Sequence, residues 1–412
     1  MKKIFTLVVG MCLILSSWSQ ECGTKFLEPT FPGVAVTEGI QFGSAPQVVD
    51  LVGPTYTPVF QNQDLFFDLY QPIGDVSTKR PLIILAFGGA FVFGTRSDAY
   101  MVELCTRYAE LGYVVASIDY RLTREIIALA PTQLFPNKAP EAVAKGMHDM
   151  RAAIRFFRNS ALNEGNPYRI NSEQIYVGGL SAGAFCATHA AYLDKESEVP
   201  AGLESFLEAN GGLEGNSGTP GISSAVAGVI SFSGALGEAS WLEPGDVPIV
   251  STHGTADEVV PYGEDSVTIL GINYPVDGSS IIHMRANQVE VTNAFYTYQG
   301  ASHAPESGQG AYLDTGFAFT KAFMYDRVCE YQKSLTNIRE INAKQFAITV
   351  SPNPSSGLFS IEGMPANGEE VELYNTAGIR VYKGQMHSTQ LDLTTVETGL
   401  YQLVIRNAKN KS

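Results

Sequence analysis

The chain is poor in basic residues and in long apolar runs. Lys and Arg number 27 against 42 Asp and Glu, a net charge of −15, so no basic stripe exists to replace the counterions of a nucleic acid or to sit on an anionic membrane. Only 17% of the 412 residues are charged while 45% are hydrophobic, which excludes a disordered chain and leaves room for one large domain and a small one. After the N-terminal segment, no stretch reaches spanning length without charges, so no transmembrane segment is expected. No His/Cys cluster has zinc spacing and no glycine-rich loop ends in Lys-Ser/Thr, so neither a metal nor an organic cofactor is expected.

Lys2 and Lys3, the apolar run from Ile4 to Leu15 and the small residues Ser17 and Ser19 have the layout of a signal peptide over 1–19, cut after Ser19. Ser19-Gln20-Glu21 lacks the small residue that precedes a lipoprotein cysteine, which argues against a lipid anchor at Cys22. Of five cysteines, Cys12 leaves with the signal and Cys22, Cys105, Cys186 and Cys329 enter an oxidising compartment. Cys329 is expected to pair with Cys105 or with Cys22. Cys186 reads as a small buried hydrophobe.

From Pro81 onward short apolar runs recur with helical stretches between them, the pattern of a parallel sheet covered on both faces. The runs are Leu82–Phe87, Tyr113–Ile118, Ile175–Gly178, Val229–Phe232, Pro248–Thr252 and Ala294–Tyr298. Helices are expected at Asp98–Leu111, Pro140–Asn159, Ala182–Leu193 and Thr320–Lys333. Upstream, Leu65–Tyr70 alternates like an antiparallel edge strand. Between Glu196 and Ser224 the chain is acidic and glycine-rich, which suits either a mobile cover or a plain surface loop. After a polar linker at 334–346, residues 347–412 break into short strands punctuated by turns. The domains are thus the signal at 1–19, a catalytic domain at 20–333, the linker, and a β-module at 347–412.

The run Ile175-Tyr176-Val177-Gly178-Gly179-Leu180-Ser181-Ala182-Gly183 carries the chemistry. A strand enters Gly-x-Ser-x-Gly and a helix leaves it, which forces Ser181 onto the sharp turn called the nucleophile elbow, with a helix N-terminus beside it. On that helix Phe185, Cys186, His189, Ala190 and Leu193 are expected to share an apolar face. The five-residue pattern alone also fits a bland βα turn. Three further features raise it. Phe87-Gly88-Gly89-Ala90-Phe91 follows a strand, and its N–H groups at Gly89 and Ala90, with that of Ala182, are placed to hold an oxyanion. Asp257, in the loop after Pro248–Thr252, suits the acid that fixes a histidine tautomer, with Glu258 as its rival. His303 lies in the loop after Ala294–Tyr298, within reach of Ser181. Of the other histidines, His148 and His189 fall on helices and read as structural. His283 falls in a strand-like region, His387 in the β-module, and His253 braces the acid loop. The order Ser181, Asp257, His303 differs from the orders of the other two serine-protease lineages.

Residues about 60–333 resemble the secreted carboxylesterases of the α/β-hydrolase superfamily, near the hormone-sensitive lipases and type B carboxylesterases. Asp119-Tyr120-Arg121-Leu122 is similar to that family's D-Y-R-L, and His148-Asp149-Met150-Arg151-Ala152-Ala153 to its helix before the nucleophile strand. Phe87 stands where the lipase-like branch has His, and Leu180 where many relatives carry an acid. The last module is similar to the C-terminal sorting domains of type IX secretion in Bacteroidetes, through Ser351-Pro352-Asn353-Pro354, the Gly378 turn and Gly399-Leu400-Tyr401. The resemblance implies an α/β-hydrolase fold followed by a small all-β Ig-like sandwich. It implies a serine esterase that is secreted or held at the cell surface, acting on a small-molecule or polysaccharide-linked ester and handled by the type IX machinery. A serine peptidase on the same fold, and a catalytically silent adhesin or glycan-binding protein, are the alternatives.

Overall fold

Apolar runs with few polar interruptions become strands buried on both faces. The structure, a computed structural model, describes residues 6–7, 23–53, 57–123, 137–269, 271–336, 349–353, 355–362, 369–375 and 379–406. The chain divides into two units, one of Cys22–Glu330 and one of Met1–Glu21 with Tyr331–Ser412. The expected signal peptide, apart from Thr6 and Leu7, and most of the expected linker lie outside the described residues.

The larger unit contains β1 (Val34–Val52), β2 (Thr57–Pro72), β3 (Arg80–Ala86), β4 (Val114–Ile118), β5 (Ile170–Leu180), β6 (Gly228–Phe232), β7 (Ile249–Gly254), β8 (Glu264–Ile269), β9 (Ile272–Gly278) and β10 (Asn293–Tyr298). Eight of them form one sheet in the order β10-β7-β6-β5-β3-β4-β2-β1, parallel except where β2 pairs with β4 and β1. β8 and β9 pair antiparallel, and the two residues Ala235–Leu236 add to β9 to make a separate three-stranded sheet. Every residue of β3, β4, β6 and β7 is buried, as a sheet covered by helices on both faces requires.

One strand expectation is corrected, and one strand was not expected at all. The segment around Leu65–Tyr70 lies inside the sheet, because β1 covers it and takes the edge. β1 was missed since Gly39, Gly43 and Pro46 interrupt its alternation; register shifts between Thr37 and Ile40, Gln41 and Gly43, and Val48 and Asp50 absorb the irregularity.

The long helices are α1 (Ala99–Glu110), α2 (Lys138–Asn163), α3 (Ala182–Tyr192), α4 (Ser279–Gln288) and α5 (Ala311–Thr336), and a short helical turn over Glu204–Ala209 lies in the glycine-rich insertion. α3 is buried around nearly its whole circumference, not on one face as expected. A helix of small and apolar residues wedged between sheet and α2 has no solvent side to pattern. His283 lies on α4, where a strand-like region was expected, and its Nδ1 meets Asn293 Oδ1 at 2.8 Å.

The glycine-rich insertion after α3 is fastened to α2 by an arginine row. Arg151 donates to the carbonyl of Leu213, Arg155 to those of Glu214, Ser217 and Thr219, and Arg158 to those of Ser223 and Ala225. Positions 151, 155 and 158 share one helix face, so the loop follows the helix as a strapped surface segment.

Cys329 is disulfide-bonded, whereas Cys105 and Cys186 are free, buried thiols. Cys105 is therefore not its partner, and burial pushes both thiols up, away from reactivity. The other candidate, Cys22, lies outside the described residues.

The smaller unit contains β11 (Thr349–Ser351), β12 (Leu358–Glu362), β13 (Glu369–Asn375), β14 (Arg380–Met386), β15 (Gln390–Asp392) and β16 (Leu400–Arg406). β12 pairs with β11 and β15, and β13 pairs with β14 and β16, all antiparallel. Phe359, Ile361, Val371, Leu373, Met386, Leu391 and Leu393 form its own core, the layer structure of a β-sandwich.

Candidate active site

The site grows from three strand ends on the C-terminal edge of the parallel sheet, where open α/β sheets bind ligands. Ser181 follows β5 with φ 53 and ψ −119, a left-handed conformation for a residue with a Cβ. Its N–H is anchored on the Phe232 carbonyl at 2.8 Å. The glycines on either side are steric necessities. A Cβ on Gly179 would lie 2.4 Å from the Gly183 carbonyl carbon, and one on Gly183 would lie 2.0 Å from the Ala86 oxygen. The helix can start that close to the sheet only without side chains at these points.

Asp257 sits in the loop after β7 and His303 in the loop after β10. The two loops are tied by the Ala256 N–H, which donates to the Ala301 carbonyl at 2.9 Å. Gly254 permits this approach, since a Cβ there would stand 2.3 Å from the Ala301 oxygen. Ala304, at φ 46, turns the chain behind His303, and its N–H donates to Ser233 Oγ.

The result brings the three side chains together. Ser181 Oγ is 2.8 Å from His303 Nε2, and His303 Nδ1 is 2.7 Å from Asp257 Oδ2. A carboxylate only accepts, so the Nδ1 proton points to Asp257 and Nε2 is left to accept the serine proton. Ser181 is 7% exposed; the His303 side chain is 21% exposed and that of Asp257 fully buried. Burial alone would push the Asp257 carboxyl up. Hydrogen bonds from His253 and His303, the His303 charge and the Val259 N–H outweigh it and hold the group well below the usual carboxylate range. Glu258, the rival acid, is exposed.

The glycine-rich loop after β3 passes beside the serine. A Cβ on Gly88 would stand 3.4 Å from that of Ser181 and 2.9 Å from Leu180 Cδ2. Gly89, Ala90 and Phe91 have φ of 129, 53 and 62, a run of left-handed residues that reverses the chain and brings the Val92 and Phe93 N–H groups onto the Gly89 carbonyl. Tyr120 donates to the Phe87 carbonyl at 2.9 Å, and the Gly88 N–H donates to Tyr100 Oη at 2.7 Å. Phe91 is buried and Phe93 is 68% exposed. Ala182 opens α3, which puts its N–H at the positive end of the helix.

Sequence reasoning missed Tyr100, which has no motif to mark it. It also missed that His253 reaches Asp257 directly, with Nε2 at 3.1 Å from Oδ2. The four-residue spacing in His253-Gly254-Thr255-Ala256-Asp257 was the available signal. His148 and His189 are buried on helices, against the Gly212 and Phe185 carbonyls. His387 is exposed. Among the described residues no group of three or more His, Cys, Asp or Glu is arranged to hold a metal, and no helix is long and apolar enough to cross a membrane.

Sheet order, strand-end placement and the Gly-x-Ser-x-Gly turn give the large unit the α/β-hydrolase fold. Residues 67–236 match the family model described as BD-FAE, and residues 349–412 match that of the secretion system C-terminal sorting domain. Lipase 1 of Geotrichum candidum is 27% identical over 151 residues, 34% of this chain and 25% of the lipase, so the chain spans about a quarter of that curated relative. Among solved structures, the propionate-bound esterase of Thermogutta terrifontis is 19% identical with a TM-score of 0.45, over 69% of this chain and 94% of that one. The apo form of the same organism's esterase 2 is 19% identical with a TM-score of 0.45, over 72% and 96%. Over residues 67–236 the chain is thus similar to the BD-FAE family, and over residues 349–412 to the secretion system C-terminal sorting domain.

Proposed function

We propose that the protein is an exported serine carboxylesterase. One observation carries the reading: the unbroken line from Ser181 Oγ through the His303 ring to Asp257, at 2.8 and 2.7 Å. In the proposed reaction His303 Nε2 takes the Ser181 proton as the oxygen attacks an ester carbonyl. Asp257 keeps the tautomer and stabilises the imidazolium. The N–H groups of Gly89, Ala90 and Ala182 receive the oxyanion, each worth about 3 kcal/mol in such a hole. The imidazolium returns its proton to the leaving alcohol. A water, activated by the same ring, then hydrolyses the acyl-serine and frees the acid.

The sorting domain supports delivery outside the cell, released or retained at the surface. Hydrolysis of p-nitrophenyl esters of increasing chain length, with Ser181→Ala in parallel, tests the reading. The variant is expected to lose at least about a thousandfold in kcat. Equal activity in both proteins would overturn it. Failure of a fluorophosphonate to label the wild type, with glycan binding intact, would favour a silent adhesin.

A further inference from the structure

Asp257 serves two imidazoles. Its Oδ2 lies 2.7 Å from His303 Nδ1 and 3.1 Å from His253 Nε2, while its Oδ1 accepts the N–H groups of Val259 and Val260, both at 2.9 Å. Four donors thus surround a carboxylate with four lone-pair sites. The His253 side chain is fully buried. Its Nε2 faces two groups that only accept, Asp257 Oδ2 and the Val260 carbonyl at 3.1 Å, so Nε2 carries the proton and divides it between them. Nδ1 is then the acceptor, and Ser279 Oγ stands 2.8 Å away to donate, nearer than its other partner, the Gly234 carbonyl, at 3.2 Å. A surface or loop-bracing histidine would need none of this arrangement.

We propose that His253 is a positioning residue that competes with His303 for the charge of Asp257 and so sets how basic the attacking ring is. The inference rests on the serine-hydrolase reading and deepens it. A carboxylate oxygen that already accepts one N–H offers less negative potential to a second, so the His303 imidazolium is held less tightly and gives up its proton at lower pH. The charged and titratable groups facing His253 are few. Asp257 comes from the acid loop, and Tyr262 from the end of that loop, with its ring edge-on at 5.7 Å. His303 acts through the shared carboxylate. Glu306, from the segment behind His303, is buried and interacts electrostatically with His253. Oδ1 stays pinned by two backbone donors whatever stands at 253, so removing His253 changes the charge Asp257 presents more than its orientation.

The test uses the full chain and three variants, His253→Phe, His253→Gln and Ser279→Ala. The pH profile of kcat/KM for p-nitrophenyl acetate is recorded beside the 15N titration of the His303 ring. In His253→Phe the acid limb and the ring midpoint are expected to move up by about half to one pH unit, with kcat/KM at low pH falling accordingly and KM changing less than about twofold. His253→Gln restores a donor near the Nε2 position and is expected to stay close to the wild type. Ser279→Ala, which weakens the Nε2–H as a donor without touching Asp257, moves both readouts up by a smaller amount, and it decides the matter should the Phe variant not fold. A midpoint that stays put or moves down in the variants overturns the proposal, because a merely structural histidine would loosen the triad and lower it. The ring titration needs no substrate, so failure of the wild type to hydrolyse esters would count against the proposed function alone.

Discussion

A Cβ placed on Gly183 would lie 2.0 Å from the carbonyl oxygen of Ala86. The helix that follows Ser181 begins in direct backbone contact with the neighbouring strand, and the second glycine of the turn is what permits it. Gly183→Ala is therefore expected to displace α3 or strain β3, costing about 3 kcal/mol or more. The Ser181 oxygen should be misplaced as well, with kcat reduced at least about tenfold. Urea unfolding and initial rates at low temperature measure both; a variant within error of the wild type in either would sink the steric account.

Asp257→Asn keeps the shape of the acid but offers an amide that can donate to His303 Nδ1 and so stabilises the wrong tautomer. Nε2 then holds a proton and cannot accept from Ser181. The expected loss is about 10³- to 10⁴-fold in kcat with KM little changed. Steady-state kinetics near neutral pH check it, and a loss below about tenfold would mean that the carboxylate does not orient the ring.

Three buried histidines make stability depend on pH. Burial pushes His148 down to about 3, and His189 and His283 to about 4. Their folded values lie below the unfolded one, so the native state keeps them neutral while the unfolded chain takes up protons as pH falls below 6.5. Stability is then lost on going down through that window, with a slope of up to about 4 kcal/mol per pH unit for three protons. Glu306, raised by burial, contributes a smaller slope of opposite sign. Urea titrations at several values between pH 4.5 and 7 measure the slope, and a flat response would contradict it.

The arginine row predicts how the glycine-rich insertion behaves. Arg155 alone donates to the carbonyls of Glu214, Ser217 and Thr219 and to the Glu214 carboxylate. Arg155→Met strands these acceptors and is expected to cost about 2 to 3 kcal/mol and to open the segment to a glutamate-specific protease at Glu214. Equal nicking rates in variant and wild type would show that the strap lies elsewhere.

Much of the large unit was readable because parallel strands buried on both faces leave uninterrupted apolar runs. β3, β4, β6 and β7 fall on such runs, the outermost strand β10 on the half-buried run Ala294–Tyr298, and the topology then sends Ser181, Asp257 and His303 to one edge of the sheet. β1 and the β8–β9 hairpin were not readable. They bury few side chains, and their glycines and prolines read as loop. The segment holding His283 was misread for a related reason: α4 buries only Ser279, Ile282, His283 and Ala286, too few to imprint a period. Contacts across loops, such as Tyr100 to Gly88 and His253 to Asp257, depend on where separate elements meet, and no local pattern records them.

The irregular register of β1 has a consequence for the molecule as an exported protein. An outermost strand of 19 residues, with its own Val49 and Val52 and the neighbouring Val59 and Phe60 of β2 exposed, is the kind of edge on which a second chain can pair. Three interruptions of its ladder with β2 kink that strand, and a kinked edge is a poorer template for pairing than a flat one. The same kinks that hid β1 from pattern reading make the exposed rim of the sheet less inviting to another chain.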